Sequence, residues 1–219
     1  LRTDIEGFPE VSEPEVAKHF VRLSNLNVSI ETATLYPLGS CTMKDNPRFH
    51  EDIARLPQFA HLHPFTPPRA AQGSLTVLWH LEQMLREISG MHAITLLPAA
   101  GAHGEQTGLM IIRKALLARG EKRTKILIPD SAHGTNPASA ALCGFTPITV
   151  KSGPDGRVSA ESVAKLMDEQ CAGIMITNPN TSGIFETRFR EIADLVHGVG
   201  GQVYMDGANM NAICGWVDL

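Results

Sequence analysis

Short apolar runs alternate with longer amphipathic stretches from residue 73 onward, and this alternation constrains the fold more than any other feature of the chain. The apolar runs are only about four residues long and show little polar alternation, which predicts strands that are buried on both faces. Buried strands separated by helices form a mostly parallel sheet covered by helices. The predicted strands are residues 94–97, 126–129, 147–150, 174–177 and 202–205.

The stretches between these runs predict helices. In the first of them, Leu75, Leu78, Leu81 and Leu85 are spaced by three or four residues, which places them on one helical face. Glycines follow several of these stretches, as is typical of helix ends. The predicted helices are residues 74–88, 105–119, 136–143, 159–169 and 188–197.

The first 72 residues have a different character. They contain one predicted helix, residues 12–23, with Ser12 as N-cap, Pro14 in the first turn and Glu15 at the capping-box position. The remainder is interrupted by prolines and has no regular apolar period. We therefore predict two parts, an N-terminal helix with a proline-rich arm over residues 1–72 and an α/β domain over residues 73–219.

Composition excludes several classes of protein. The 219 residues are 43% hydrophobic and 19% charged, with a formal net charge of −4, so nucleic acid is not expected as a partner. No apolar stretch approaches the roughly 20 residues that cross a bilayer. The four cysteines form no C-x-x-C pair and His61 and His63 lack further ligands nearby, so we predict no metal site and reduced thiols in a cytosol-like compartment.

A turn of small residues stands between the first predicted strand of the domain and the helix that follows. It contains Gly101, Ala102 and His103. The first N–H groups of a helix and its dipole attract phosphate, and small residues let the oxygens approach. The turn matches no standard phosphate-binding motif, so an ordinary strand-to-helix turn remains an alternative.

Three further polar segments follow predicted strands, and the carboxyl ends of parallel strands meet at one edge of the sheet, where such folds bind ligands. His133 would lie flat on an aromatic cofactor, or else cap the next helix. The segment 177–183 offers amides and hydroxyls. Asp206, unless it is only a turn residue, would pair with a pyridine nitrogen and make the ring an electron sink, with Ala208 small enough to lie beneath the ring. Together these segments predict a pyridoxal 5'-phosphate (PLP) site.

Five segments of the chain resemble one family closely, the glycine decarboxylase P-protein. The resemblance is to its catalytic part, which is subunit 2 of the two-subunit form or the C-terminal half of the fused form. It extends in order from about Arg2 to Trp216. The segments are YPLGSCTMK (residues 36–44), PAAGAHGE (98–105), SAHGTNP (131–137), TNPNTSGIFE (177–186) and YMDGANMN (204–211).

The resemblance implies a PLP-dependent α/β enzyme of the aspartate-aminotransferase-like fold (fold type I). It also implies the reaction: glycine loses its carboxylate as CO2, and the aminomethyl group passes to the lipoyl group of the H-protein in the glycine cleavage system. Expected partners are glycine, lipoylated H-protein and P-protein subunit 1 or its N-terminal half, in a homo- or hetero-oligomer. The expected compartment is the cytoplasm of a bacterium or the mitochondrial matrix of a eukaryote.

The resemblance also assigns residues. Gly101, Ala102 and His103 would bind the cofactor phosphate. His133 would stack on the ring and Asp206 would pair with its nitrogen. Thr181 would reach the ring hydroxyl. The substrate-side loop would contribute Ser40, Cys41 and Thr42.

One family feature is not found in this sequence. The lysine that binds the cofactor covalently is expected about 25 to 30 residues past Asp206, whereas the last lysine is Lys165 and the sequence ends at Leu219. We therefore expect the 219 residues alone to be inactive. Two alternatives stay open: another PLP-dependent amino-acid decarboxylase or lyase, and a catalytically silent structural partner.

Overall fold

The computed structural model describes residues 7–27 and 47–217. The chain divides into two compact units, Leu1–His50 and Glu51–Leu219. The predicted division after residue 72 stays a prediction. Within the described ranges, every helix is too short or too polar to cross a membrane.

The first unit contains helix α1, Glu13–Ser24, which confirms the helix predicted for residues 12–23 to within one residue. The Glu15 carboxylate accepts hydrogen bonds from the Ser12 backbone N–H (2.9 Å) and the Ser12 hydroxyl (2.7 Å). These bonds also lower the pKa of Glu15. The predicted cap therefore fixes where the helix begins. The next helix along the chain is α2, Arg48–Ala54.

The second unit is built on a four-stranded parallel sheet with strand order β2-β1-β3-β4. Pro129 pairs with Val150, and Thr177 pairs with Asp206, so the carboxyl ends of the four strands form one edge. Four of the five predicted strands are thereby confirmed. Their bounds are β1 Lys125–Pro129, β2 Thr146–Val150, β3 Cys171–Thr177 and β4 Gln202–Asp206.

The strand predicted for residues 94–97 is wrong. This segment has no regular secondary structure, and Leu97 is 91% exposed. A strand requires a hydrogen-bonded neighbour as well as an apolar sequence. Within the described ranges, only β1 to β4 pair with one another.

The five helices predicted between residues 74 and 197 are confirmed, with two changes in their bounds, whereas the helices over Arg48–Ala54 and Pro57–Ala60 were not predicted. The helix predicted for residues 105–119 begins four residues earlier, at Gly101. The helix predicted for residues 159–169 ends at Ala164, because residues 165–170 turn to deliver the chain to β3 and the backbone N–H of Lys125 bonds to the Gln170 carbonyl. The bounds are α3 Pro57–Ala60, α4 Gln72–Ser89, α5 Gly101–Ala118, α6 Thr135–Leu142, α7 Ala160–Ala164 and α8 Phe189–Gly198, with 3-10 turns at Pro68–Ala70 and Met210–Ala212.

The core lies on both faces of the sheet. On one face, Ile126 and Met175 pack with apolar residues of α5 and α6. On the other face, Leu127 and Ile174 pack with apolar residues of α7 and α8. Adjacent residues of one strand therefore enter opposite layers, as expected for strands buried on both sides. This three-layer packing leaves the carboxyl edge of the sheet to the loops.

Candidate cofactor site

The loops predicted to carry chemistry meet at the carboxyl edge of the sheet and are joined to one another by side-chain hydrogen bonds. The four segments are the first turn of α5, the loop from β1 into α6, the loop from β3 to α8, and the residues after β4. Their convergence is what the topology of a parallel sheet provides.

Asp206 is the last residue of β4, at the carboxyl edge of the sheet, and is 8% exposed. Its Oδ1 accepts a hydrogen bond from the Ala208 backbone N–H at 3.0 Å. Its Oδ2 accepts one from the side-chain amide of Asn136 at 3.1 Å. Asn136 is fully buried in the first turn of α6. Within the part of the chain that the structure describes, no cationic side chain pairs with Asp206, so its orientation is set by two neutral donors.

Two buried acceptor or donor atoms near this carboxylate lack a partner within the described residues. They are Oδ1 of Asn136 and Oγ1 of Thr177. Thr177 lies directly opposite Asp206 in the β3–β4 register, and Asn136 contacts Asp206 directly. Unpaired buried polar atoms are few in native proteins and call for an explanation such as an additional bound group. A polar ring system bound against Asp206 fits this set of donors and acceptors.

The phosphate turn predicted from sequence is the first turn of α5. Ala100 precedes it in an extended conformation, and its carbonyl accepts the N–H of Gly104 at 3.1 Å. Gly101, Ala102 and His103 are exposed, and the first N–H groups of a helix have no acceptor within it. Apart from the chain neighbours and the backbone of α5 itself, no described atom lies within 4 Å of the position that a Cβ on Gly101 would take. This end of α5 is therefore open to an anion.

Glu105, in the same helix, is 6% exposed and joins α5 to α6. Its carboxylate accepts hydrogen bonds from the Thr135 hydroxyl (2.6 Å) and the Ser139 hydroxyl (2.8 Å). These contacts hold the Glu105 charge on α6.

His133 lies in the loop before α6 and is exposed. Its Nδ1 lies 2.7 Å from the Thr135 hydroxyl oxygen and 3.2 Å from the Thr135 backbone nitrogen. The first contact needs a proton on Nδ1 if the Thr135 oxygen accepts, whereas the second, the helix-capping alternative, needs Nδ1 without one. Both contacts use Nδ1 in the plane of the ring, so the ring face stays open in either case.

The loop that carries Thr181 is tied to the end of β4. The side-chain amide of Asn209 donates to the Pro179 carbonyl at 3.0 Å. Within the loop, the Asn180 side-chain oxygen accepts the N–H groups of Ser182 (3.0 Å) and Ile184 (3.1 Å). The Asn178–Pro179 peptide bond is cis. Thr181 itself is exposed, as is Ala208.

Other predicted residues lie elsewhere. Ser40, Cys41 and Thr42 fall outside the described residues, so their predicted role in the substrate-side loop stays a prediction. In the described ranges, no group of three or more His, Cys, Asp or Glu side chains is arranged to hold a metal ion.

Three residues important to this geometry were given no role from sequence: Glu105, Asn136 and Tyr204. For Glu105 and Asn136 the sequence offered only a polar residue near the start of an apolar helix. Such a residue is usually exposed, so it did not predict burial. Tyr204 packs so closely on α5 that a Cβ on Gly108 would lie 2.4 Å from its ring. Burial, helped by the charges of Asp206 and Glu105, raises the pKa of Tyr204 to about 12, so its phenol is neutral near the site.

Sequence comparison identifies close relatives of this chain, although no family model matches it. Probable glycine dehydrogenase (decarboxylating) subunit 2 of Alkaliphilus oremlandii is 55% identical over 208 residues, which cover 94% of this chain and 43% of that protein. The proteins of the same name from Pyrococcus horikoshii and Prosthecochloris aestuarii are each 54% identical, over 99% and 98% of this chain and 43% and 44% of theirs. The chain thus spans less than half the length of these curated relatives.

Structure comparison gives the fold. A crystal structure of glycine decarboxylase (P-protein) of the glycine cleavage system, in inhibitor-bound form, has a TM-score of 0.70 at 20% identity and covers 93% of this chain and 45% of its own. An aromatic aminotransferase from Pyrococcus horikoshii has a TM-score of 0.57 at 21% identity, covering 77% of this chain and 44% of its own. These likenesses confirm the predicted aminotransferase-like α/β fold. Over nearly its whole length, moreover, the chain is similar in sequence to glycine dehydrogenase (decarboxylating) subunit 2, which confirms the family resemblance carried by its motifs.

Proposed function

We propose that this chain forms part of the PLP site of an enzyme that decarboxylates glycine and transfers the aminomethyl group to the lipoyl group of the H-protein. The observation that carries the proposal is the buried Asp206 carboxylate, held by Asn136 and the Ala208 N–H at the edge where α5 begins. The names of the close relatives support glycine as the substrate.

Bound PLP supplies an electron sink for the electrons that remain when the carboxylate of glycine leaves as CO2. Asp206 holds the proton on the ring nitrogen, because a carboxylate beside a pyridinium favours the ionised form of both groups. Asn136 and Ala208 N–H keep that carboxylate in place before the cofactor arrives, so little reorganisation is needed.

The remaining groups position the cofactor. The first turn of α5, with Gly101, Ala102 and His103, binds the phosphate through backbone N–H groups. His133 would cover one face of the ring, and Ala208 is small enough to leave room at the other. Thr181 would hydrogen-bond to the ring hydroxyl.

The activity is proposed for a full-length protein that contains these residues. Ser40, Cys41 and Thr42 are assigned to the substrate side. P-protein subunit 1 or an N-terminal half and the lipoylated H-protein are the proposed partners. A cytoplasmic or mitochondrial-matrix location belongs to the same proposal.

The test is Asp206→Asn in the full-length protein that contains these residues, compared with Asp194→Asn. Asp194 is an exposed carboxylate on α8, so its loss controls for a change in net charge. We expect Asp206→Asn to reduce H-protein-dependent exchange of glycine carboxylate with bicarbonate by about 100-fold or more. Exchange at the wild-type rate would refute the role of Asp206.

The same assay separates the alternatives. Exchange that is indifferent to lipoylated H-protein would reject the glycine cleavage assignment in favour of another PLP-dependent decarboxylase or lyase. A full-length protein that neither binds PLP nor supports exchange would favour the silent structural partner.

A further inference from the structure

The Glu105 carboxylate has no part in the proposed chemistry, although it is 6% exposed and lies one helical turn from the phosphate position. Burying a carboxylate is costly unless hydrogen bonds compensate. Its two compensating donors, Thr135 and Ser139, both belong to α6. Thr135 is also the residue that contacts His133.

We propose that Glu105 is a positioning residue that, through Thr135, holds the His133 ring in one orientation with a proton on Nδ1. This proposal rests on the proposed function only for the role of the ring, which is to cover the cofactor; the orientation itself depends on Glu105, Thr135 and His133 alone.

Thr135 has one hydroxyl proton and two close neighbours for its oxygen. The Glu105 carboxylate, 2.6 Å away, offers acceptor oxygens, so the Thr135 proton lies on that side. The Thr135 oxygen then presents only lone pairs to His133 Nδ1 at 2.7 Å. Nδ1 must therefore carry a proton and donate it.

A second hydrogen bond to His133 favours the other tautomer of its ring. The Thr135 backbone N–H also points at Nδ1, at 3.2 Å, and it can donate only if Nδ1 has no proton. The hydroxyl contact is the shorter of the two, and the hydrogen bond from Thr135 to Glu105 orients the hydroxyl for it. Removing either the Thr135 hydroxyl or the Glu105 acceptor oxygens should let the backbone N–H donate to Nδ1 instead, which moves the proton of the neutral ring to Nε2.

Four variants test this in the full-length, cofactor-free protein. Thr135→Val removes the hydroxyl with little change in volume, and Thr135→Ser restores it. Glu105→Met removes the acceptor oxygens that orient it. Ser139→Ala is the matched control, because it removes the other hydroxyl from Glu105 without a contact to His133.

The readout is the 15N chemical shift of the two His133 ring nitrogens, assigned by difference against His133→Asn. We expect a protonated Nδ1 in the wild type, Thr135→Ser and Ser139→Ala, and a shift of the neutral ring toward protonated Nε2 in Thr135→Val and Glu105→Met. The double variant with both Thr135→Val and Glu105→Met should match Thr135→Val alone, because both changes act on the same hydrogen bond. An unchanged Nδ1 signal in Thr135→Val, or a changed one in Ser139→Ala, would overturn the proposal.

Cofactor binding gives a second, separate measurement. Losing the orienting hydrogen bond should weaken PLP affinity by about three- to tenfold in Thr135→Val, with recovery in Thr135→Ser. If instead Asp206→Asn leaves exchange unchanged while the tautomer shift is observed, the proposed function fails and the positioning role stands. If the His133 tautomer is unchanged in Thr135→Val while Asp206→Asn abolishes exchange, the positioning role fails and the proposed function stands.

Discussion

Replacing Asn136 by Asp puts a second carboxylate where the amide donates to Asp206. The two side chains are nearly identical in size, so the perturbation is electrostatic. Asn136 is 0% and Asp206 8% exposed, and the new oxygen would lie 3.1 Å from Oδ2 of Asp206. Two ionised oxygens at that separation repel by about 5 kcal/mol at an effective dielectric constant near 20.

That repulsion sets a pH dependence. About 5 kcal/mol corresponds to roughly 4 pH units, so the pair should keep one shared proton up to about pH 8, whereas an unfolded Asp loses its proton near 3.9. Between these limits the unfolded state binds fewer protons than the folded state. The free energy of unfolding of Asn136→Asp, relative to wild type, should therefore fall by about 1.4 kcal/mol per pH unit from about pH 4 to pH 8, and then level off.

The assay is urea-induced unfolding of the cofactor-free, full-length protein at several pH values, with Asn136→Ala as control. The alanine variant loses the hydrogen bond and some packing but adds no titrating group, so its deficit should not depend on pH above the range in which Asp206 itself titrates. Near the acid limit Asn136→Asp should approach the wild type, because a protonated Asp donates to Asp206 as the amide does. A deficit of Asn136→Asp that is constant with pH would show that the two side chains do not face each other in a buried site.

Other predictions concern the scaffold. In Gly173→Ala the new Cβ would lie 2.0 Å from a backbone carbonyl oxygen of β4, so thermal unfolding should show that the free energy of unfolding falls by about 3 kcal/mol. In Gly198→Ala the new Cβ would meet nothing within 4 Å apart from its own helix backbone and chain neighbours, so the free energy of unfolding should rise by about 0.5 to 1 kcal/mol. In an alkaline absorbance titration, Tyr204 should ionise only near pH 12. Because burial raises its pKa above the usual value, the free energy of unfolding should fall as pH rises toward 12, and Tyr204→Phe should remove that fall. Burial also raises the pKa of the Cys143 and Cys171 thiols, so alkylation of both followed by mass spectrometry should require unfolding, and rapid labelling of the native protein would contradict the packing.

The sheet and the edge that carries the site were predictable because their signals are local. Apolar runs such as residues 174–177 identify a buried strand by themselves, and parallel topology then brings the following loops together. Residues 94–97 have the same local signal, yet a strand also needs a paired neighbour, which no local pattern reveals. The roles of Asn136 and Glu105 depend on partners 70 and 34 residues away in the sequence, so their polarity alone could not distinguish a buried clamp from an exposed helix end.

The four residues from His133 to Asn136 touch two different neighbours, α5 through Glu105 and β4 through Asp206. A displacement of this short turn would carry the imidazole and the amide in the same direction. Tolerated changes at the site should therefore come in compensating sets across these positions, and exchanging one of them alone for its counterpart from a distant homologue should do more harm than exchanging the whole group.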